Sequence, residues 1–193
     1  MKKESNIAFI DGQNLHLGTT KNNWKVDLGK FRTYLKDKYA VSDAYYHLGF
    51  VSDEEQDLYD NLQKMGFIVQ FREHSAAMKG KKKGNVDTDI VFEAMRALVD
   101  NDHSRKILLV SGDGDYRKLV DYLIAQSRLK KILFPNRRFA SSLYRHLSPL
   151  YYDALDNSGV KSKIEYVQKP KGLPVGERKQ KGKSRHTKKK RSP

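Results

Sequence analysis

Three short stretches of the chain place carboxylates beside small residues: "IDGQN" (Ile10–Asn14), "GNVDTD" (Gly84–Asp89) and "SGDGD" (Ser111–Asp115). They supply Asp11 and Asn14, then Asp87 and Asp89 with Glu93 four residues on, then Asp113 and Asp115 separated by one glycine. Taken singly, each acid has a plain reading. An Asp after a strand makes an Asx-turn, and an Asp at a helix start is a cap. Delivered together to one place they mean more. Carboxylates within a few ångströms of one another repel, and their pKa values rise unless a cation neutralises them. Hard oxygen donors of this kind suit Mg²⁺ or Mn²⁺.

The elements around these stretches decide whether they can meet. Short apolar runs, Asn6–Ile10, Val41–Phe50, Phe67–Phe71, Lys106–Ser111 and Lys130–Phe134, read as strands. Between them the apolar spacing predicts helices over Asp27–Tyr39, Ser52–Met65 (Ser52 as cap), Asp87–Asn101 and Asp115–Ser127. A last helix is expected over Arg138–Leu147, and a further short element over Leu150–Leu155. Alternation of this type predicts a three-layer α/β domain with a mostly parallel sheet. In such sheets ligands gather outside the carboxyl ends of the strands. Asp11 and Asp113 each follow a strand, so both fall at that edge. Helix starts face it too, which brings Asp87 and Asp115 there.

Asp87 and Asp89 lie ~160° apart around a helix, so only one can face the site; Asp87 is the expected one. Glu93 is placed to pair with Arg96 at i+3. Asp115 is expected in the first turn of its helix, partly as its cap. Gly112 and Gly114 are expected to let the backbone turn tightly and to leave room for an anion.

Charge points to the partner. The chain of 193 residues has a net charge of +15. Residues 168–193 carry eleven Lys or Arg against Glu177 alone, so +10 of the total lies there and +5 in the first 167 residues. With three prolines and few aliphatic residues, that tail is expected to be disordered and attracted to a polyanion, RNA or DNA. The domain division expected is 1–160 for the catalytic fold and 161–193 for the tail. No apolar run approaches the ~18 residues of a membrane span, and the N-terminus turns acidic too soon for a signal peptide. Without cysteine there is no disulfide or thiolate metal site, and a cytoplasmic address is expected.

In order and spacing, "IDGQNL", "KGNVDTDI" and "LLVSGDGDY" resemble the signature segments of the NYN domain family, the LabA-like branch of the PIN-like ribonucleases. The likeness covers about Asn6 to Asp156. It implies a Rossmann-like fold and a divalent-metal ribonuclease site, with Asp11, Asn14, Asp87, Asp113 and Asp115 as catalytic positions. The four aspartates are then the metal ligands. Glu93 stands where the family usually has Asp, which leaves it a supporting role. Such a site hydrolyses RNA, single-stranded RNA above all and by endonucleolytic cuts, leaving 5′-phosphate and 3′-hydroxyl ends; DNA remains open. Asn14 would orient a carboxylate or contact the phosphate. Lys79, Lys81, Lys82 and Lys83 ahead of Asp87, and Arg137 and Arg138 after a strand, are candidates to grip the RNA backbone. Two other readings stay beside this one. A non-catalytic RNA- or DNA-binding module of the same fold would keep the acids without turnover. A phospho-aspartate phosphatase would want Asp-x-Asp after the first strand, where Gln13 stands instead. The histidines show no spacing suited to a metal-free ribonuclease.

Overall fold

The structure, a computed structural model, describes residues 4–49, 51–72, 86–100 and 105–168. Among these residues six strands form one sheet: β1 (Asn6–Asp11), β2 (Val41–Leu48), β3 (Ile68–Phe71), β4 (Ile107–Val110), β5 (Leu129–Phe134) and β6 (Tyr152–Ala154). The α-helices among the described residues are α1 (Gly12–Thr20), α2 (Leu28–Tyr39), α3 (Gln56–Lys64), α4 (Val86–Asp100), α5 (Arg117–Ala125) and α6 (Ser158–Ile164). The strand order is β3-β2-β1-β4-β5-β6, and every neighbouring pair is parallel.

Parallel strands need crossovers, and crossovers cover both faces of the sheet. The sequence of β1 shows the consequence: all six of its residues are buried, and they alternate between two cores. Ala8 and Ile10 pack with Phe31 and Leu35 of α2 and Ile164 of α6. Ile7 and Phe9 pack with Ile90 and Ala94 of α4 and Leu119, Val120 and Leu123 of α5. Each fully buried aliphatic or aromatic side chain is worth about 1.5–3 kcal/mol relative to exposure, so the six-stranded sheet is a rigid platform. The order reverses direction between β1 and β4. In doubly wound sheets that point opens a crevice at the carboxyl ends, where Asp11 and Asp113 stand.

Several expectations need adjustment. Arg138–Leu147 is not an α-helix. It forms the 3₁₀ turns Arg137–Phe139 and Ser142–Tyr144, and a third turn, Pro149–Tyr151, follows. The Asn136, Ser141 and Ser148 side chains each accept the N–H two residues on, which holds the chain in local turns, and Pro149 has no N–H to continue a helix. The helix expected from Asp115 begins instead with a 3₁₀ turn, Gly114–Tyr116, before α5. Ser52 makes no side-chain cap; a 3₁₀ turn, Asp53–Glu55, leads into α3, and the Ser52 N–H donates to the Tyr59 hydroxyl. The short element near Leu150 is the edge strand β6.

α6 runs across residue 160, so helical structure crosses the expected domain boundary. Glu165 bridges to Val26, and the Tyr166 N–H donates to Lys25 O at 2.8 Å. Residues 169–193 lie outside the described residues. Among the described residues no helix is long and apolar enough to cross a membrane.

Candidate metal centre at the carboxyl edge

β1 ends on Asp11, which is only 6% exposed. Its Oδ1 accepts the Asn14 N–H at 2.9 Å, capping α1 in the manner expected of Asp at a helix start. Gly12 is required by close packing: a Cβ there would stand 2.5 Å from the Tyr46 ring and 2.7 Å from the His47 carbonyl oxygen. The Asn14 side chain then reaches the neighbouring strand end. Its Oδ1 accepts the Gly112 N–H at 2.9 Å, joining the turn after β1 to the turn after β4.

The β4 turn is built on side-chain acceptors. Ser111 Oγ accepts the Asp113 N–H at 3.1 Å, and Asp113 Oδ1 accepts the Asp115 N–H at 3.1 Å. Asp113, not Asp115, is therefore the cap of the segment that leads into α5. The Tyr144 hydroxyl donates to the Asp113 carbonyl at 2.7 Å, and Ser141 N–H donates to Gly112 O at 2.9 Å. These bonds fasten the β4 turn to the 3₁₀ turns that follow β5. Neither Gly112 nor Gly114 has a positive φ, so conformational freedom is not what selects glycine there. At Gly114 the reason is contact, since a Cβ would meet Ser141 Oγ at 2.5 Å and Leu143 Cδ1 at 2.9 Å. At Gly112 the nearest atom would be Ala140 Cα at 3.4 Å, an ordinary contact.

α4 brings the third segment. Asp87, Asp113 and Asp115 each offer a carboxylate oxygen, and the three atoms lie within 4.8 Å of one another. Asp87 and Asp113 are half-buried and Asp115 is exposed, so the group is open to solvent on one side. Beneath it lies Tyr116, fully buried. Its hydroxyl is 2.5 Å from Asp87 Oδ1 and 3.3 Å from Asp11 Oδ2. A phenol has one proton, and the shorter contact takes it.

Burial raises the Asp11 carboxyl to a pKa of about 6, and the charges of Asp87 and Asp113 push the same way, against the Asn14 N–H and the Tyr116 hydroxyl. The Tyr116 hydroxyl is held far above the ordinary phenol range, first by burial and then by Asp11 and Asp87, so it remains a donor. Three acidic oxygens this close, with a fourth carboxylate behind them, suit a small divalent cation with hard-oxygen preference. The residues present fit such an ion.

The NYN domain profile matches residues 6–152. The chain belongs to the NYN domain family. The low amplitude and bright protein LabA of Synechococcus elongatus is 26% identical over 171 residues, which span 84% of this chain and 88% of that protein. A crystal structure of a Vibrio parahaemolyticus protein of unknown function has the same fold, with a TM-score of 0.65 at 23% identity over 85% of this chain and 97% of that one. Within this NYN fold the other expected residues are distributed as follows. Among the described residues, the carboxylates brought together are Asp87, Asp113 and Asp115; Asp11 is not one of those three but connects to Asp87 through Tyr116. Glu93 pairs with Arg96. Arg137 lies over the Tyr152 ring, 5.6 Å from its centroid, while Arg138 is exposed. Lys79, Lys81, Lys82 and Lys83 lie outside the described residues.

Sequence reasoning missed Tyr116, Ser111 and Tyr144. The signal for Tyr116 was its place in "SGDGDY", one residue after the last acid: a tyrosine in a core needs a partner for its hydroxyl, and the nearest acceptors are these carboxylates.

Proposed function

We propose that this NYN protein is a divalent-metal-dependent ribonuclease that hydrolyses internal phosphodiester bonds of single-stranded RNA. The observation that carries the reading is the approach of Asp87, Asp113 and Asp115 to within 4.8 Å at the carboxyl edge of the sheet. Mg²⁺ or Mn²⁺ held by these three would activate a water and neutralise phosphate charge.

The chain's own residues account for the rest. Asp113 is oriented by its bond to the Asp115 N–H, and Asp87 by the Tyr116 hydroxyl. Asn14 and Asp11 are positioning residues: they hold the two strand ends in register through Gly112 and the start of α1. Asp11 adds negative charge behind the three ligands, and α4 fixes Asp87 on a rigid element. The exposed side of Asp115 leaves the centre open to a strand approaching from solvent. A chain with a net charge of +15 draws such a polyanion toward an otherwise acidic spot.

The test is cleavage of an end-labelled single-stranded RNA in Mn²⁺, in EDTA, and by Asp113→Asn. Cleavage that falls at least ~100-fold in EDTA and in the variant is expected, since both remove metal chemistry. Binding of RNA without metal-dependent cleavage would make this a non-catalytic binding module instead.

A further inference from the structure

A groove of about 800 Å³ opens at the carboxyl end of β2, between α1, the start of α2 and α3. That volume falls within the ~300–1,000 Å³ range of small-molecule sites. Its walls include Leu28, Leu48 and Leu58, and its α1 side carries the exposed Gln13 and His16. Two of its lining residues are chain neighbours of the acidic centre: Gly12 follows Asp11, and Val86 precedes Asp87.

Tyr46 also lines this groove. It is only 6% exposed, and its hydroxyl makes no hydrogen bond to any described residue. The hydroxyl is not sealed from solvent, so water can satisfy it from the groove and a ligand there takes that water's place. Burial, and then the charge of Asp11, keep this hydroxyl protonated and ready to donate. The site thus combines aliphatic walls with one hydroxyl that bonds no described residue. A flat apolar body with hydrogen-bonding atoms at its edge complements that combination. A strand with one phosphate at Asp87, Asp113 and Asp115 would carry its neighbouring nucleotide past Val86, the residue before Asp87, which lines the groove.

We infer that the groove binds the unpaired base of a nucleotide next to the bond that is cut, with the Tyr46 hydroxyl hydrogen-bonded to the polar edge of the base. The inference rests on the ribonuclease reading for the identity of the strand. It commits to a base rather than to the backbone, because Leu28, Leu48 and Leu58 form the walls, the Tyr46 hydroxyl is neutral, and the two charged lining residues, Lys25 and Glu55, are of opposite sign.

The experiment measures fluorescence anisotropy of a labelled oligouridine, and of the same backbone with abasic positions, in EDTA with the full chain. Tyr46→Phe removes only the hydroxyl, and should weaken oligouridine binding roughly 2- to 12-fold, the span of one neutral hydrogen bond. Thr20→Trp, which adds bulk at the groove from the surface of α1, should weaken it by more. Neither variant should alter affinity for the abasic strand or the salt slope, which reports phosphate contacts. The melting temperature of Tyr46→Phe should stay level, since the hydroxyl removed bonds no described residue. Unchanged oligouridine affinity in both variants would overturn the inference, as would equal losses on the abasic strand, which would make the groove a backbone site. Failure of the unaltered chain to bind either strand would overturn this inference and the RNA reading together. Base-dependent losses in a protein that never cleaves RNA would uphold the groove and remove only the nuclease reading.

Discussion

The Tyr116 hydroxyl stands 2.5 Å from Asp87 Oδ1, linking the turn after β4 to the first turn of α4. The two residues are 29 positions apart in sequence, and the bond is what aims a helical acid at a strand-end site. Tyr116→Phe keeps the ring and deletes the bond. Because the acceptor is charged, the variant should lose about 1.5–3 kcal/mol of stability in urea unfolding. Outer contacts of this kind typically govern metal affinity by 10- to 100-fold, so Mn²⁺ titration calorimetry should show at least a ~10-fold weaker Kd. An unchanged Kd would mean that Asp87 needs no help from Tyr116 to face the ion.

Asp113 and Asp115 should separate by role. Asp113 caps the turn with Oδ1, while Asp115 is exposed and its N–H is the capped group. Asn caps as well as Asp, so Asp113→Asn should hold its melting temperature and lose metal affinity. Asp113→Ala should lose both, with a stability cost of about 1 kcal/mol. Asp115→Asn should lose metal affinity less than Asp113→Asn and leave stability alone. Equal affinity losses in the two Asn variants, read by Mn²⁺ calorimetry, would assign them equal shares of the ion.

Asp11 makes stability depend on pH. Its folded pKa of about 6 lies above the ordinary 3.8, so the native state binds the proton more tightly than the unfolded state does. Stability from this group is therefore present below about pH 4 and is lost as pH rises to about 6, by an amount on the order of 3 kcal/mol. His47 acts in the opposite sense: burial lowers it to about 4, so stability falls as pH drops from 6.5 toward 4. Comparison with Asp11→Asn isolates the carboxyl. In EDTA, urea midpoints at pH 4, 5, 6 and 7 should show the variant gaining on the unaltered chain as pH rises. A constant gap across that range would refute the raised pKa.

Gly114 is held by its neighbours rather than by its backbone angles. A Cβ would press on Ser141 Oγ and Leu143 Cδ1 at 2.5 and 2.9 Å. Overpacking of this kind costs ~1–3 kcal/mol, so Gly114→Ala should lower the thermal midpoint. Gly112→Ala, whose nearest contact would be 3.4 Å, should be close to neutral in the same melt. The reverse ranking would show that the β4 turn tolerates bulk toward Ser141 and Leu143 but not toward Ala140.

The layer architecture and the sheet edge at which the carboxylates gather are legible in the order of residues alone. Apolar runs of strand length that break into Asp-Gly at Asp11 and at Ser111–Asp113 locate strand ends from neighbouring residues alone, because burial on both faces leaves a continuous apolar signature. Helical spacing likewise showed that Asp87 and Asp89 cannot both face the site, since two positions on a helix diverge by ~160°. Which acids meet is set by contacts that form only on folding. That depends on β4 lying beside β1, a pairing across some 100 residues that no local pattern encodes, and on where α4 crosses the sheet. Folding also decided that Tyr116 links two carboxylates, that Asp113 is the cap, and that the segment after β5 breaks into 3₁₀ turns. Each of these is set by hydrogen-bond partners brought close by folding, and a periodicity read along one chain carries no information about them.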